Sequence, residues 1–164
     1  MIHYKVRNLH VTILHSTFTI SPKKSTLSTL TLETLVPQVA PKTLSVFGMG
    51  VGTLAALLVS IGDNPKRLRS DASFVCLCKV APILASLSSV THYRLHRGGA
   101  RDGNSALYVA VIVRLRYCAK TKAYMGRRTA EGLSKMEVIR CLKRYLVREV
   151  LRALCSDYEN LRRV

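Results

Sequence analysis

The chain has 164 residues, enough for one domain of ordinary size with a real core and too few for two large ones. Its 26 Lys+Arg against 9 Asp+Glu give a formal charge of +17 and a pI near 10.3, an imbalance larger than solubility requires. That charge points to an anionic partner, either nucleic acid or a membrane surface. Five cysteines without paired spacing exclude a disulfide scaffold and fit a reducing cytoplasm.

Met1 to Gln38 differs in character from the remainder of the chain. Its middle is rich in Ser and Thr, and short alternating apolar runs at Val6, Leu9, Val11 and Ile13 would suit marginal strands. Lys5, Arg7 and the apolar run Val11-Thr12-Ile13-Leu14 have the outline of a signal peptide, but His, Ser and Thr interrupt it, which argues against secretion. Leu44 to Gly62 contains no charged residue and has the length of a transmembrane segment. The competing reading is a helix-hairpin-helix. Gly48-Met49-Gly50 makes the turn, Ala55 admits a neighbouring helix, and Leu54, Leu57 and Leu58 form the apolar face. In such a hairpin the outward amides around Gly48, Gly50 and Gly52 bind a phosphate without a cationic side chain. The hairpin is favoured, because three alternating glycines disfavour a continuous spanning helix.

Asp63-Asn64-Pro65 reads as a turn, and a helix is expected from Ser70 or Asp71 to about Cys78, with Phe74, Val75 and Leu77 in the core. Cys76 and Cys78 form a C-x-C too weak to argue for metal, since no second ligand pair follows at metal spacing. From Asp71 to Asp102 no acidic residue intervenes, while His92, Arg94, His96, Arg97 and Arg101 cluster around an extended segment, Val90 to Arg97. A serine cluster, Ser86, Ser88 and Ser89, precedes it; the simplest reading is a hydroxyl-rich turn bonding its own backbone.

Asn104 is the expected N-cap of a helix over Ser105 to Tyr117, although Val109 to Val113 would equally suit a buried strand; either way the segment is core. A short helix follows at Ala123 to Ala130. The last helix, about Ser134 to Leu154, opens with the Ser-x-x-Glu capping box of Ser134 and Glu137. Val138, Leu142, Tyr145, Leu146 and Leu151 can face a core, whereas Arg140, Arg144, Arg148 and Arg152 recur every four residues with Lys143 beside them. Glu149 is the one acid placed to pair with that stripe, so phosphates are its natural neutralising partner.

Ala81-Pro82 with its serine cluster, the run from Arg94 through Arg97-Gly98-Gly99 and Asn104 to Leu107, and Arg127 to Lys135 together carry a resemblance. They resemble the C-terminal domain of insertion-sequence transposases of the IS-one-ten type, relatives of the Piv/MooV DNA invertases, over roughly Pro41 to Leu154. The resemblance implies DNA recombination by an oligomer in the bacterial cytoplasm, guided by a structured RNA. It also implies a serine nucleophile in the turn after Ala81-Pro82, attacking a DNA phosphate. Aligned without gaps, the nucleophile's column falls on Leu87 and its neighbouring glycine's on Ser88. Either a flanking serine, Ser86 or Ser88, carries the chemistry or the chemistry is lost. Such transposases hold divalent metal on four acidic residues of an N-terminal domain. Before Asp63 this chain offers only Glu33, so no cofactor is expected here; the metal would belong to that other domain.

The expected fold is mostly α, a helix-hairpin-helix-containing helical domain with a short β-hairpin or extended segment. Residues 1–40 are expected to be a divergent leader, either folded or disordered, and residues 41–164 a transposase C-terminal-like DNA-binding domain in a truncated copy. DNA contacts are expected at Gly48, Gly50, Gly52, Arg94, Arg97, Arg101, Arg140, Lys143, Arg144, Arg148 and Arg152, with no metal site and no stable membrane association. Two other readings stand beside it: a stand-alone nucleic-acid-binding module without chemistry, and a small basic membrane-associated protein.

Overall fold

The computed structural model describes residues 22–62, 68, 70–84, 93–95 and 98–163. In chain order these form α1 (Pro22–Val39), α2 (Pro41–Leu44), α3 (Val51–Ile61), α4 (Asp71–Leu77), β1 (Pro82–Leu84), β2 (Tyr93–Leu95), α5 (Arg101–Tyr117), α6 (Ala119–Ala130) and α7 (Lys135–Arg163). The fold is mostly α. The short strand expected within Val90 to Arg97 is β2, antiparallel to β1 with Ile83 opposite Arg94.

The core sits between α3, α5 and α7. Leu54, Leu57 and Ile61 point inward from α3 and Leu107 and Val111 from α5. Ile139, Leu146, Val147, Val150 and Leu154 form the apolar stripe of α7. Their offsets of 7, 8, 11 and 15 residues from Ile139 put them on one face of a 3.6-residue helix. Phe74 of α4 and Val36 of α1 are fully buried in the same cluster. Each such side chain contributes roughly 1.5–3 kcal/mol by leaving water. At 29 residues α7 spans roughly 43 Å, so one helix can touch α2, α4, α5 and α6 in turn.

Several boundaries differ from expectation. The uncharged stretch Leu44 to Gly62 is not one rod: a turn at Ser45 to Gly50 breaks it, and α3 is 11 residues long. No helix among the described residues is long and apolar enough to cross a membrane. Asn104 is not the cap of α5. The helix begins at Arg101 after Ala100, whose N–H is held by the carbonyl of Leu77 at 2.7 Å, leaving Asn104 inside the first turn. Helix α6 starts at Ala119 because Cys118, in an extended conformation, breaks the chain's helical course directly after α5, and α7 continues past Leu154 to Arg163. The apolar segment Val109 to Val113 is helical and only partly core: Ala110 and Val111 are buried, while Val109 and Ile112 lie on the exposed side with Tyr108. The strand-like runs Val6 to Ile13 lie outside the described residues.

Candidate nucleic-acid interface

The turn between α6 and α7 sets the geometry of the basic surface. Gly132 takes φ +91°, a conformation that side-chain-bearing residues rarely adopt. The N–H of Gly132 bonds the carbonyl of Thr129 at 3.0 Å and that of Leu133 the carbonyl of Arg128 at 3.2 Å, which together close the end of α6. Ser134 then opens α7. Its N–H donates to Glu137 Oε2 at 2.9 Å and its Oγ accepts from the Glu137 N–H at 3.4 Å, so the capping box is formed. With only a few residues between them, the two helices fold back on each other.

That reversal brings Tyr124, Arg127 and Arg128 of α6 against Cys141, Arg144, Tyr145 and Arg148 of α7, around a cleft of about 340 Å³. The i, i+3, i+4 spacing of each set puts its members on one helix face. The rings of Tyr124 and Tyr145 meet edge to face with centroids 5.8 Å apart, and the Arg127 guanidinium lies 5.4 Å from the centre of the Tyr124 ring. Among the described residues, four guanidinium groups line the cleft and no carboxylate does. The acids that reach them among the described residues stand at the rim. Glu131 pairs with Arg128 and stands 3.8 Å from Arg127, and Asp71 stands 3.8 Å from Arg148. Two carboxylates against four guanidinium groups leave the cleft with a positive potential.

The cleft also perturbs its own groups. Burial raises the Tyr124 phenol pKa, reinforced by Cys141 and Tyr145. Burial works against the charge on Arg128, but Glu131 outweighs it and its pKa is raised. Nε of Arg128 is buried and finds no hydrogen-bond partner among the described residues. Arg144 donates to Cys141 Sγ at 3.1 Å, a weak acceptor that leaves most of its donors for a ligand.

The residues singled out from the sequence divide. Arg144 and Arg148 meet at the cleft; Arg140 and Arg152 do not line it. Four residues advance roughly 400° around a helix, so the stripe rotates by about 40° per step and cannot all face one neighbour. Arg152 is exposed and Arg140 half-buried. Lys143 is not on the basic surface: it is 6% exposed, its Nζ donates to Asn104 Oδ1 at 2.6 Å, and burial followed by the charge of Arg140 lowers its pKa. Glu149 pairs with Arg114 at 2.8 Å rather than with the arginine stripe. Arg101 is exposed at the start of α5. Tyr145, expected in the core, is 57% exposed at the cleft mouth, because its face of α7 looks toward α6.

Of the glycines, Gly48 serves packing. At φ +90° it lies against α5, where a Cβ would come 2.8 Å from the Ala110 carbonyl oxygen. Gly50 and Gly52 are exposed with open space around them, at the N-terminus of α3. Arg94 has its backbone in β2, while Arg97 and the serine cluster, including Ser86 and Ser88, lie outside the described residues. Tyr124, Arg127 and Arg128 are the functional candidates that sequence reasoning missed, and their helical spacing beside a basic pair was the available signal.

Among the described residues, no group of three or more His, Cys, Asp or Glu side chains could hold a metal ion. No curated protein shows significant similarity to the chain. The model of one protein family matches residues 41–126, just over half of the sequence, from the first residue of α2 into α6. The chain accordingly belongs to the transposase IS116/IS110/IS902 family.

Proposed function

We propose that this transposase-family chain is a DNA-binding domain that holds nucleic acid chiefly through its phosphates. The observation carrying the proposal is the cleft between α6 and α7, where Arg127, Arg128, Arg144 and Arg148 converge with no acidic lining among the described residues. Guanidinium groups match phosphate oxygens in a planar fork, and tyrosine faces tolerate any base. The exposed amide end of α3 at Gly50 and Gly52, with the exposed Arg101 and Arg152, offers further phosphate contacts, and the sequence adds Arg94 and Arg97 as candidates. In a complete transposase this surface would face DNA and a structured guide RNA within an oligomer.

Fluorescence anisotropy with duplex DNA across a salt series tests the reading. Affinity should fall steeply with salt and vary little with base sequence. Binding that is indifferent to salt would remove the proposal. A strand-transfer assay separates binding from chemistry: a covalent protein–DNA adduct lost in Ser86→Ala or Ser88→Ala would add catalysis, and its absence in the unaltered chain would leave a binding module.

A further inference from the structure

We infer that the α6–α7 cleft is a receptor for an unpaired nucleotide, with one base laid against the Tyr145 ring and its flanking phosphates held by Arg144, Arg148 and Arg128. The inference rests on the nucleic-acid reading and narrows it from the phosphate backbone in general to a strand out of its duplex.

Three observations carry it. First, the cleft combines aromatic and cationic groups. A surface that only neutralises a duplex backbone needs the arginines and has no use for a tyrosine pair between them. Tyr145 is more than half exposed although it is an aromatic side chain on an otherwise core-forming helix, so ring surface is available to a ligand. The edge-to-face contact with Tyr124 at 82° steadies the tyrosine pair from the side.

Second, the size fits. A volume of about 340 Å³ is of small-ligand scale, adequate for a base with its sugar and phosphate and too small to admit paired strands. Third, the donors are unequal in a way that suits a phosphate beside a base. Arg127 already lies against the Tyr124 ring and both α6 arginines lean on Glu131, whereas Arg144 meets only the weak thiol acceptor of Cys141 within the cleft.

The test uses the full chain with labelled oligothymidylate, oligouridylate and a mixed-sequence duplex DNA, each titrated across the same salt series. Tyr145→Ala should weaken binding of the single strands by about tenfold, the order of one base stacked on an aromatic ring, and of the duplex by a small fraction of that. Tyr145→Phe, which keeps the ring, should restore single-strand affinity. Loss confined to oligothymidylate or to oligouridylate supports the inference and shows which of the two strands the cleft takes. Equal loss on single strand and duplex, or no loss on either, overturns it while leaving salt-dependent phosphate binding standing. Absence of salt-dependent binding to any of the three probes removes the broader reading as well. Tyr145 is exposed, so its replacements should fold, and matching circular-dichroism melts confirm that the affinities compare native proteins.

Discussion

The carboxylate of Asp157, near the end of α7, caps the first turn of α2 more than a hundred residues earlier in the chain. Its Oδ2 accepts from the N–H of Thr43 at 2.9 Å and from Thr43 Oγ1 at 2.7 Å, and its Oδ1 accepts from the N–H of Lys42 at 3.1 Å. Asp157 is 2% exposed and Thr43 is fully buried. The first amides of a helix have no partner within it, and α2 starts with Pro41, so Asp157 satisfies the two donors that remain at its start. Lys42 Nζ adds a bond to Ser156 Oγ at 2.5 Å. The beginning of the family-matched region is thereby fastened to the far end of the terminal helix.

Asp157→Ala should therefore be strongly destabilising, by about 3 kcal/mol, because it strands two amides and a hydroxyl in the interior. Asp157→Asn keeps one acceptor but turns an amide group toward donors, and should cost less, about 2 kcal/mol. Urea unfolding checks both: the midpoint should drop with little change of slope. A surface-like effect within about 0.5 kcal/mol would show that the cap contributes nothing.

Lys143 and Asn104 give a second prediction, one that depends on pH. Burial lowers the lysine pKa, and Asn104 Oδ1 is the acceptor that makes its charged form tolerable. Asn104→Ala should cost about 2 kcal/mol at neutral pH, since it leaves a buried ammonium without that bond. A lysine whose folded pKa lies below its unfolded value binds fewer protons folded than unfolded between those two values. Stability from this group therefore rises with pH through that alkaline window and is level below it. Asn104→Ala moves the folded pKa further down, so the window widens and the penalty shrinks as the solution becomes alkaline. Asn104→Asp should move it back up and recover stability at neutral pH. Denaturation of the three proteins at neutral and alkaline pH would show it; a penalty independent of pH would contradict it.

The contrast between these two sites shows which parts of the molecule could be read from sequence. Local signals were legible. Ser134 and Glu137 form their capping box, Ser70 caps α4 by accepting from the Ser73 N–H at 3.2 Å, and Leu54, Leu57 and Leu58 face inward at helical spacing. Each depends on residues within one or two turns. Pairings across long separations were not legible: nothing near Lys143 indicates that Asn104 covers it, and nothing near Asp157 indicates α2. The cleft lies between these cases. The arginine repeat of α7 was visible, but its partner face on α6 emerges only once the α6–α7 reversal is drawn. Helix α1 was hidden for another reason. Its Ser/Thr-rich sequence has poor intrinsic propensity, and Pro37 sits inside it, so it is held by packing of Val36 and Val39 on the core rather than by local preference.

The glycines supply a third prediction, because they divide by function. Gly48→Ala forces a side chain into a left-handed conformation against the Ala110 carbonyl, and should cost about 2 kcal/mol or more in thermal or urea unfolding. Gly52→Ala meets open space inside α3 and should be neutral or stabilising by up to about 1 kcal/mol. Gly50→Ala, at φ −93° and ψ 166°, is likewise free of strain. If the amide end of α3 approaches phosphate closely, Gly52→Ala should still weaken DNA binding while the protein melts no lower than before. Loss of stability at Gly52, or none at Gly48, would reverse this assignment.

The arginines of α7 make the last prediction, and it separates charge at the cleft from charge elsewhere. Each phosphate neutralised by a cation releases condensed counterions, so the logarithm of affinity falls with the logarithm of salt concentration by about 0.9 per contact on duplex DNA. Arg144→Ala and Arg148→Ala should each reduce that slope by about 0.9 and weaken binding similarly on all sequences, since phosphate contacts carry no base information. Arg148 is exposed and its approach to Asp71 is long at 3.8 Å, so its removal should alter stability by less than about 0.5 kcal/mol. Arg114→Ala is the contrasting case. That guanidinium holds the Phe47 carbonyl at 2.7 Å and Glu149 at 2.8 Å, so its loss should lower stability and leave the salt slope unchanged. Titrations of the three variants at several salt concentrations, beside their melting curves, distinguish the roles. If the slope falls with Arg114 and not with Arg144 or Arg148, the cationic face that meets the polynucleotide lies somewhere other than between α6 and α7.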